Sequence, residues 1–123
     1  MKYLFLDDER MPMHVTWIII GELIHNDEWQ IVRSFDEACQ WVKDNGFPDV
    51  ISFDHDLSFS HYAEDYSDEK TGYDFAKWLV NYDMDTGLMP SNFHFTVHSK
   101  NPVGAENIRE LLNNYIREKR RLE

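Results

Sequence analysis

Val50-Ile51-Ser52-Phe53-Asp54-His55-Asp56 is a short run of β-branched and aromatic residues that ends abruptly in two carboxylates around a histidine. Brief and nearly all apolar, such a run predicts a strand buried on both faces, as in a parallel sheet. Tyr3-Leu4-Phe5-Leu6-Asp7-Asp8-Glu9 repeats the arrangement near the N-terminus. Two central strands that both run out in acids predict an α/β domain with an oxygen-rich cluster on one edge of its sheet.

Working outward from this pair, two further strands are predicted, Trp29 to Arg33 and Phe93 to Val97, with the first two spanning Lys2 to Leu6 and Val50 to Phe53. Ser34 reads as an N-cap with Glu37 completing a capping box, and Phe35, Ala38, Trp41 and Val42 form the apolar face of a helix that stops at Asn45-Gly46. Thr71 and Asp74 open a second helix, buried through Phe75, Trp78, Leu79 and Tyr82 and ending by Gly87. Asn101-Pro102 opens a third, with a stripe of Ile108, Leu111, Leu112, Tyr115 and Ile116. Strands alternating with helices imply a parallel sheet with right-handed crossovers, here in the order 2-1-3-4. Residues 14–26 are ambiguous, His14 to Ile20 having β-branched, strand-like composition while Ile20, Leu23 and Ile24 fit a helical face, and they read as a helical or irregular insert; 58–70 reads as a mobile acidic loop. Tyr62, Tyr66 and Tyr73 in or beside that loop are candidates for stacking on a base.

The 123 residues make one domain, 1–123, with a formal net charge of −11. That charge argues against an extended nucleic-acid surface, since phosphate backbones are met by Lys and Arg. It allows a phosphate-containing small molecule or an RNA terminus held locally. The longest apolar run, Trp17-Ile18-Ile19-Ile20, is far short of the roughly 20 residues that span a bilayer, so no membrane association is expected. One cysteine, Cys39, excludes an internal disulfide and reads as a buried spectator; with no leader pattern, a cytoplasmic setting is expected.

In an open parallel sheet, ligands bind beyond the carboxyl ends of the strands where the strand order reverses. Order 2-1-3-4 puts Asp7, Asp8, Asp54, His55 and Asp56 at that crevice, with His98 and Ser99 arriving from the fourth strand. Two carboxylates about 4 Å apart repel by roughly 4 kcal/mol at an effective dielectric near 20. A hard divalent cation, Mg²⁺ or Mn²⁺, relieves this on Asp7, Asp8, Asp54 and Asp56; the plainer alternative has these acids capping turns or facing water. The N-terminus of the third helix, through Ser99, Lys100, Asn101 and Gly104, offers donors and a positive dipole end to a phosphate; alone, the same residues also suit an ordinary capped helix. His55 and His98 are candidates for general acid and base, or for structural histidines.

Strand, Asp-Asp, then Asp closing the third strand resembles the receiver domains of two-component signalling, where an acidic pair binds Mg²⁺ and the third-strand Asp is phosphorylated. The closer resemblance is to a receiver-like family proposed to process cyclic phosphates in bacterial and phage RNA repair and defence. It is carried by Leu6-Asp7-Asp8-Glu9-Arg10, Ser52-Phe53-Asp54-His55-Asp56-Leu57, Thr71-Gly72-Tyr73-Asp74 and Val97-His98-Ser99-Lys100-Asn101-Pro102-Val103-Gly104-Ala105. The resemblance implies a compact receiver-like (flavodoxin-like) three-layer sandwich; the four-stranded parallel sheet read here departs from signalling receivers in lacking the usual fifth strand. Residues 12–28 are longer than the family pattern, and Ser58 stands in place of a glycine.

The expectation is metal-dependent hydrolysis of a cyclic phosphate, such as a 2′,3′-cyclic RNA end or a cyclic nucleotide. Asp7, Asp8, Asp54 and Asp56 would hold the metal. His55 and His98 would move protons, Arg10 would offset developing charge, and Ser99, Lys100, Asn101 and Gly104 would grip phosphate. The alternatives are a module that binds a cyclic nucleotide or a partner protein without turnover, phosphorylation at Asp54, or a Toprim-like nuclease, which the acidic surface disfavours.

Overall fold

The computed structural model describes residues 2–8, 29–55, 70–99 and 101–122. Arg10, Asp56, Lys100, Tyr62 and Tyr66 lie outside them, as do residues 12–28 and, from Ser58, residues 58–69 of the expected loop.

The described elements run β1 (Tyr3–Leu6), β2 (Trp29–Val32), α1 (Phe35–Asn45), β3 (Val50–Phe53), α2 (Gly72–Thr86), β4 (His94–Val97) and α3 (Pro102–Leu122). The strands form one parallel sheet in the order β2-β1-β3-β4, as the alternation of strands and helices predicts. The fourth strand begins one residue later than expected, because the Phe93 N–H is used in a turn, donating to the Pro90 carbonyl.

Strand periodicity divides the sheet into two faces. Leu4, Leu6, Val32, Ile51, Phe53 and Val97 point to one of them, where they join Ala38 and Val42 of α1, Phe75 and Leu79 of α2, and Ile108 and Leu112 of α3. The crossovers from β2 to β3 and from β3 to β4 move the same way across the sheet. Right-handed connections therefore put α1 and α2 on the same side. Phe5, Trp29 and Val50, with Tyr3 and Ile31, form a separate cluster on the opposite face. Both clusters include fully buried side chains, which is the main source of stability for so short a set of strands.

Local signals set the helix ends. Ser34 Oγ accepts the Glu37 N–H at 3.1 Å, but the reciprocal bond expected from Glu37 is not formed among the described residues. The complete capping box is at Thr71 and Asp74, where the Thr71 N–H donates to Asp74 at 2.8 Å and the Asp74 N–H to Thr71 Oγ1 at 3.2 Å. Gly87 ends α2 in the left-handed region at φ 68°, its N–H returning to the Asp83 carbonyl at 2.7 Å. That region is costly for residues with a Cβ.

One polar cluster lies within the helical layer. Asp83, 3 % exposed, accepts from the Met89 N–H at 2.8 Å, Tyr115 Oη at 2.5 Å and Lys119 Nζ at 2.6 Å, tying α2 to α3. Among the described residues, no helix is long and apolar enough to cross a membrane.

Candidate functional site

The sheet's hydrogen-bond ladder continues one residue past three of the strands. The Asp7 N–H donates to the Val32 carbonyl at 3.2 Å, the Asp54 N–H to Leu6 at 2.9 Å and the His98 N–H to Phe53 at 2.9 Å. These bonds carry Asp7, Asp54 and His98 onto one rim, the carboxyl edge of β1, β3 and β4. Arg33, directly after β2, reaches the same rim and donates from Nη1 to the Asp7 carbonyl at 3.1 Å.

Asp7, Asp8 and Asp54 converge there: one carboxylate oxygen from each lies within 4.8 Å of the others. Asp7 and Asp54 are buried and Asp8 half-buried. Water screens such a group poorly, so mutual repulsion favours a bound counter-charge. With oxygen as the only donor type, the group suits a hard divalent cation rather than a thiolate- or imidazole-seeking metal.

Two glycines let helices approach this rim. A β-carbon on Gly72 would lie 1.9 Å from the Asp54 carbonyl oxygen. Gly72 instead sits against the end of β3, donating its N–H to the His55 carbonyl at 2.8 Å. The Thr71-Gly72-Tyr73-Asp74 segment thus has a definite task. Thr71 and Asp74 cap α2, and Gly72 lets the capped end close onto Asp54 and His55. Burial raises the Asp74 pKa, but hydrogen bonds from the Thr71 backbone and hydroxyl and from Lys77 outweigh it, leaving the carboxyl below its ordinary value. Asp74 therefore keeps its cap as a carboxylate.

Gly104 does the same for α3. A β-carbon there would lie 2.3 Å from His55 Cγ and 2.7 Å from His55 Nδ1, so the imidazole fills the space that a side chain would take. Gly104, expected among the residues that grip a phosphate, packs against His55. The Gly104 N–H also has a partner, donating to Asn101 Oδ1 at 2.9 Å. The Asn101 N–H in turn donates to Ser99 Oγ at 3.1 Å. Asn101 Nδ2 lies 3.5 Å from His55 Nδ1. Ser99, Asn101 and Gly104 are therefore gathered at the start of α3 beside His55, in a helix end that caps itself.

His98 reaches the rim but turns inward. Its ring is fully buried and stacked on Phe5, with centroids 4.4 Å apart and planes 5° from parallel. Nε2 lies 3.0 Å from Asp7 Oδ2, and Nδ1 lies 2.6 Å from Ser52 Oγ. His55 is half-buried, against Asn101 and Gly104 at the start of α3. The two histidines thus occupy different environments.

Sequence reasoning gave no task to Ser52 or Arg33. Ser52 had a signal, being the one polar residue inside an otherwise apolar strand. Arg33 had one too, since the parallel sheet sends the end of every strand to the same edge.

No curated protein and no solved structure gives a significant match to the chain. Residues 2–114 do match a family model, described as the cyclic-phosphate processing receiver domain. That span includes every described site residue, the sheet and most of α3. With its acid-ended parallel strands in the order β2-β1-β3-β4, the chain belongs to the family of cyclic-phosphate processing receiver domains.

Proposed function

We propose that the carboxyl edge is a cation-assisted phosphate site at which this chain hydrolyses a cyclic phosphate. The substrate class is a 2′,3′-cyclic RNA end or a cyclic nucleotide, in a bacterial or phage RNA-repair or defence setting in the cytoplasm. The observation that carries the reading is the convergence of Asp7, Asp8 and Asp54 within 4.8 Å. Support comes from the start of α3, which His55 joins to the end of β3.

Asp7, Asp8 and Asp54 would hold Mg²⁺ or Mn²⁺, with Asp56 assisting. A bound divalent ion would neutralise the acids and polarise a phosphoryl oxygen. Ser99, Asn101 and Lys100 would orient the phosphate beside the positive end of α3, and Arg10 would offset charge developing on its oxygens. Gly104 serves by making room for His55. In the reaction, a water oxygen bonds to phosphorus, one ring P–O bond breaks, and a proton passes to the departing alkoxide. His55, beside Asp54 and the start of α3, would move that proton.

A second reading, binding without turnover, draws on His98. Its burial, its stacking on Phe5 and its two ring-nitrogen contacts leave half-buried His55 as the partly exposed histidine next to the acids among the described residues.

The deciding experiment is a panel of cyclic mono-, di- and trinucleotides and cyclic-phosphate RNA ends, incubated with the protein and Mg²⁺ or Mn²⁺. Hydrolysis predicts release of a monophosphate ester, lost in Asp54→Ala. Recovery of intact, stoichiometrically bound ligand would replace hydrolysis with sequestration.

A further inference from the structure

Ser52, His98 and Asp7 form a buried chain that leads from the middle of the sheet to the acidic group. Ser52 on β3 stands in register with Phe5 on β1. Both contact the His98 ring, Phe5 by stacking and Ser52 through a 2.6 Å hydrogen bond to Nδ1. The opposite ring nitrogen meets Asp7 Oδ2 at 3.0 Å, and all three polar side chains are fully buried.

Donor and acceptor chemistry orders this chain. An ionised carboxylate only accepts, whereas a neutral imidazole has one N–H and one bare nitrogen. In a neutral ring the contact to an ionised Asp7 therefore needs the hydrogen on Nε2, which leaves Nδ1 to accept from the Ser52 hydroxyl. The reverse tautomer would set a lone pair against a carboxylate among side chains fully closed to solvent. Phe5 stacking holds the ring plane, and a 180° flip within that plane would put ring carbons where Nδ1 and Nε2 now sit and break both contacts.

We infer that Ser52 and His98 are positioning residues for Asp7. Ser52 fixes His98 in the Nε2–H form, and His98 pins one oxygen of the Asp7 carboxylate so that its plane is set before a cation arrives. The inference rests on the reading of Asp7, Asp8 and Asp54 as the cation site. It assigns His98 to the support of that site from behind, in place of proton transfer to substrate. Outer partners of this kind change metal affinity by roughly 10- to 100-fold when removed.

The test combines two readouts on the full chain. In metal-free wild-type protein labelled with ¹⁵N-histidine, long-range ¹H–¹⁵N correlation should show His98 with a protonated Nε2 and a bare Nδ1. Hydrogen on Nδ1, or on both nitrogens, overturns the assignment without any mutation. Mn²⁺ titration followed by electron paramagnetic resonance then compares Ser52→Ala, His98→Leu and His98→Gln. Ser52→Ala and His98→Leu should weaken binding by about 10- to 100-fold. His98→Gln, whose amide N–H can reach the Nε2 position, should recover most of that loss. Equal loss in His98→Leu and His98→Gln, following their melting temperatures, would mean a packing role only and overturn the proposal, as would unchanged affinity. Wild-type protein that binds no Mn²⁺ would sink the cation reading instead, while the tautomer measurement would still stand or fall alone.

Discussion

The imidazole of His55 occupies the space that a β-carbon on Gly104 would need, the two positions lying 2.3 Å apart at Cγ. This contact joins the end of β3 to the start of α3. Gly104 is in a helix, where alanine would ordinarily be favoured by about 1 kcal/mol. Here the ring stem must move, so the sign reverses. Gly104→Ala should lower stability by about 1–2 kcal/mol in thermal unfolding, as overpacking does, and shift the His55 ring resonances. A gain in stability with unmoved resonances would contradict the contact.

Gly72 is under a stricter constraint, because the atom it faces is the Asp54 backbone carbonyl, which has little freedom to yield. Gly72→Ala should cost about 3 kcal/mol in urea unfolding, the upper end of overpacking costs. Displacement of Asp54 should weaken Mn²⁺ binding in the same variant.

Asp83 gives the stability of the helical layer a pH dependence. Burial raises its pKa, but the donors Lys119, Tyr115 and the Met89 N–H outweigh burial, so the folded value lies below the ordinary 3.8. A depressed folded pKa stabilises the protein above the unfolded value, and that stabilisation is lost as pH falls through the folded one. The melting temperature should therefore drop on acidification below about pH 5, and Asp83→Asn should flatten that drop. At neutral pH the same variant should lose about 1.5–3 kcal/mol, the range for hydrogen bonds to a charged group. An unchanged acid limb would contradict the network. Tyr115 is pushed up by burial and then by Asp83, so it remains a donor through neutral pH.

Cys39 is buried on α1, and its thiol pKa is pushed up to about 11, by burial first and with Lys43 opposing. Thiolate is scarce at neutral pH under those conditions. A thiol reagent such as dithionitrobenzoate should leave the native chain unlabelled and modify it once unfolded. Rapid labelling of the native chain would contradict this placement.

The sheet was readable from the sequence because its central strands are short, apolar and closed by acids: Leu6-Asp7 and Phe53-Asp54 mark both the strand ends and the functional edge. The helix caps at Ser34, Thr71 and Asn101 are local signals and act within three residues. Contacts between distant residues were not readable. Ser52 and His98 are 46 positions apart, and His98 and Asp7 are 91 apart. His98 could be placed on the rim from the end of β4, but its inward turn depends on Phe5 and Ser52 across the sheet. Gly104 was legible as part of the start of α3, but the group that fills its space, His55, comes from just beyond β3.

The central claim is that Asp7, Asp8 and Asp54 hold one divalent cation next to a phosphate gripped at the start of α3. Phosphorus-31 relaxation of a bound cyclic-phosphate ligand, measured with Mn²⁺ at the site, tests it most directly. The paramagnetic ion should strongly accelerate relaxation of the ligand phosphorus in the wild-type protein, and Asp54→Asn should abolish the effect. Mn²⁺ and ligand binding together without that acceleration, or an effect equal in Asp54→Asn, would contradict the account.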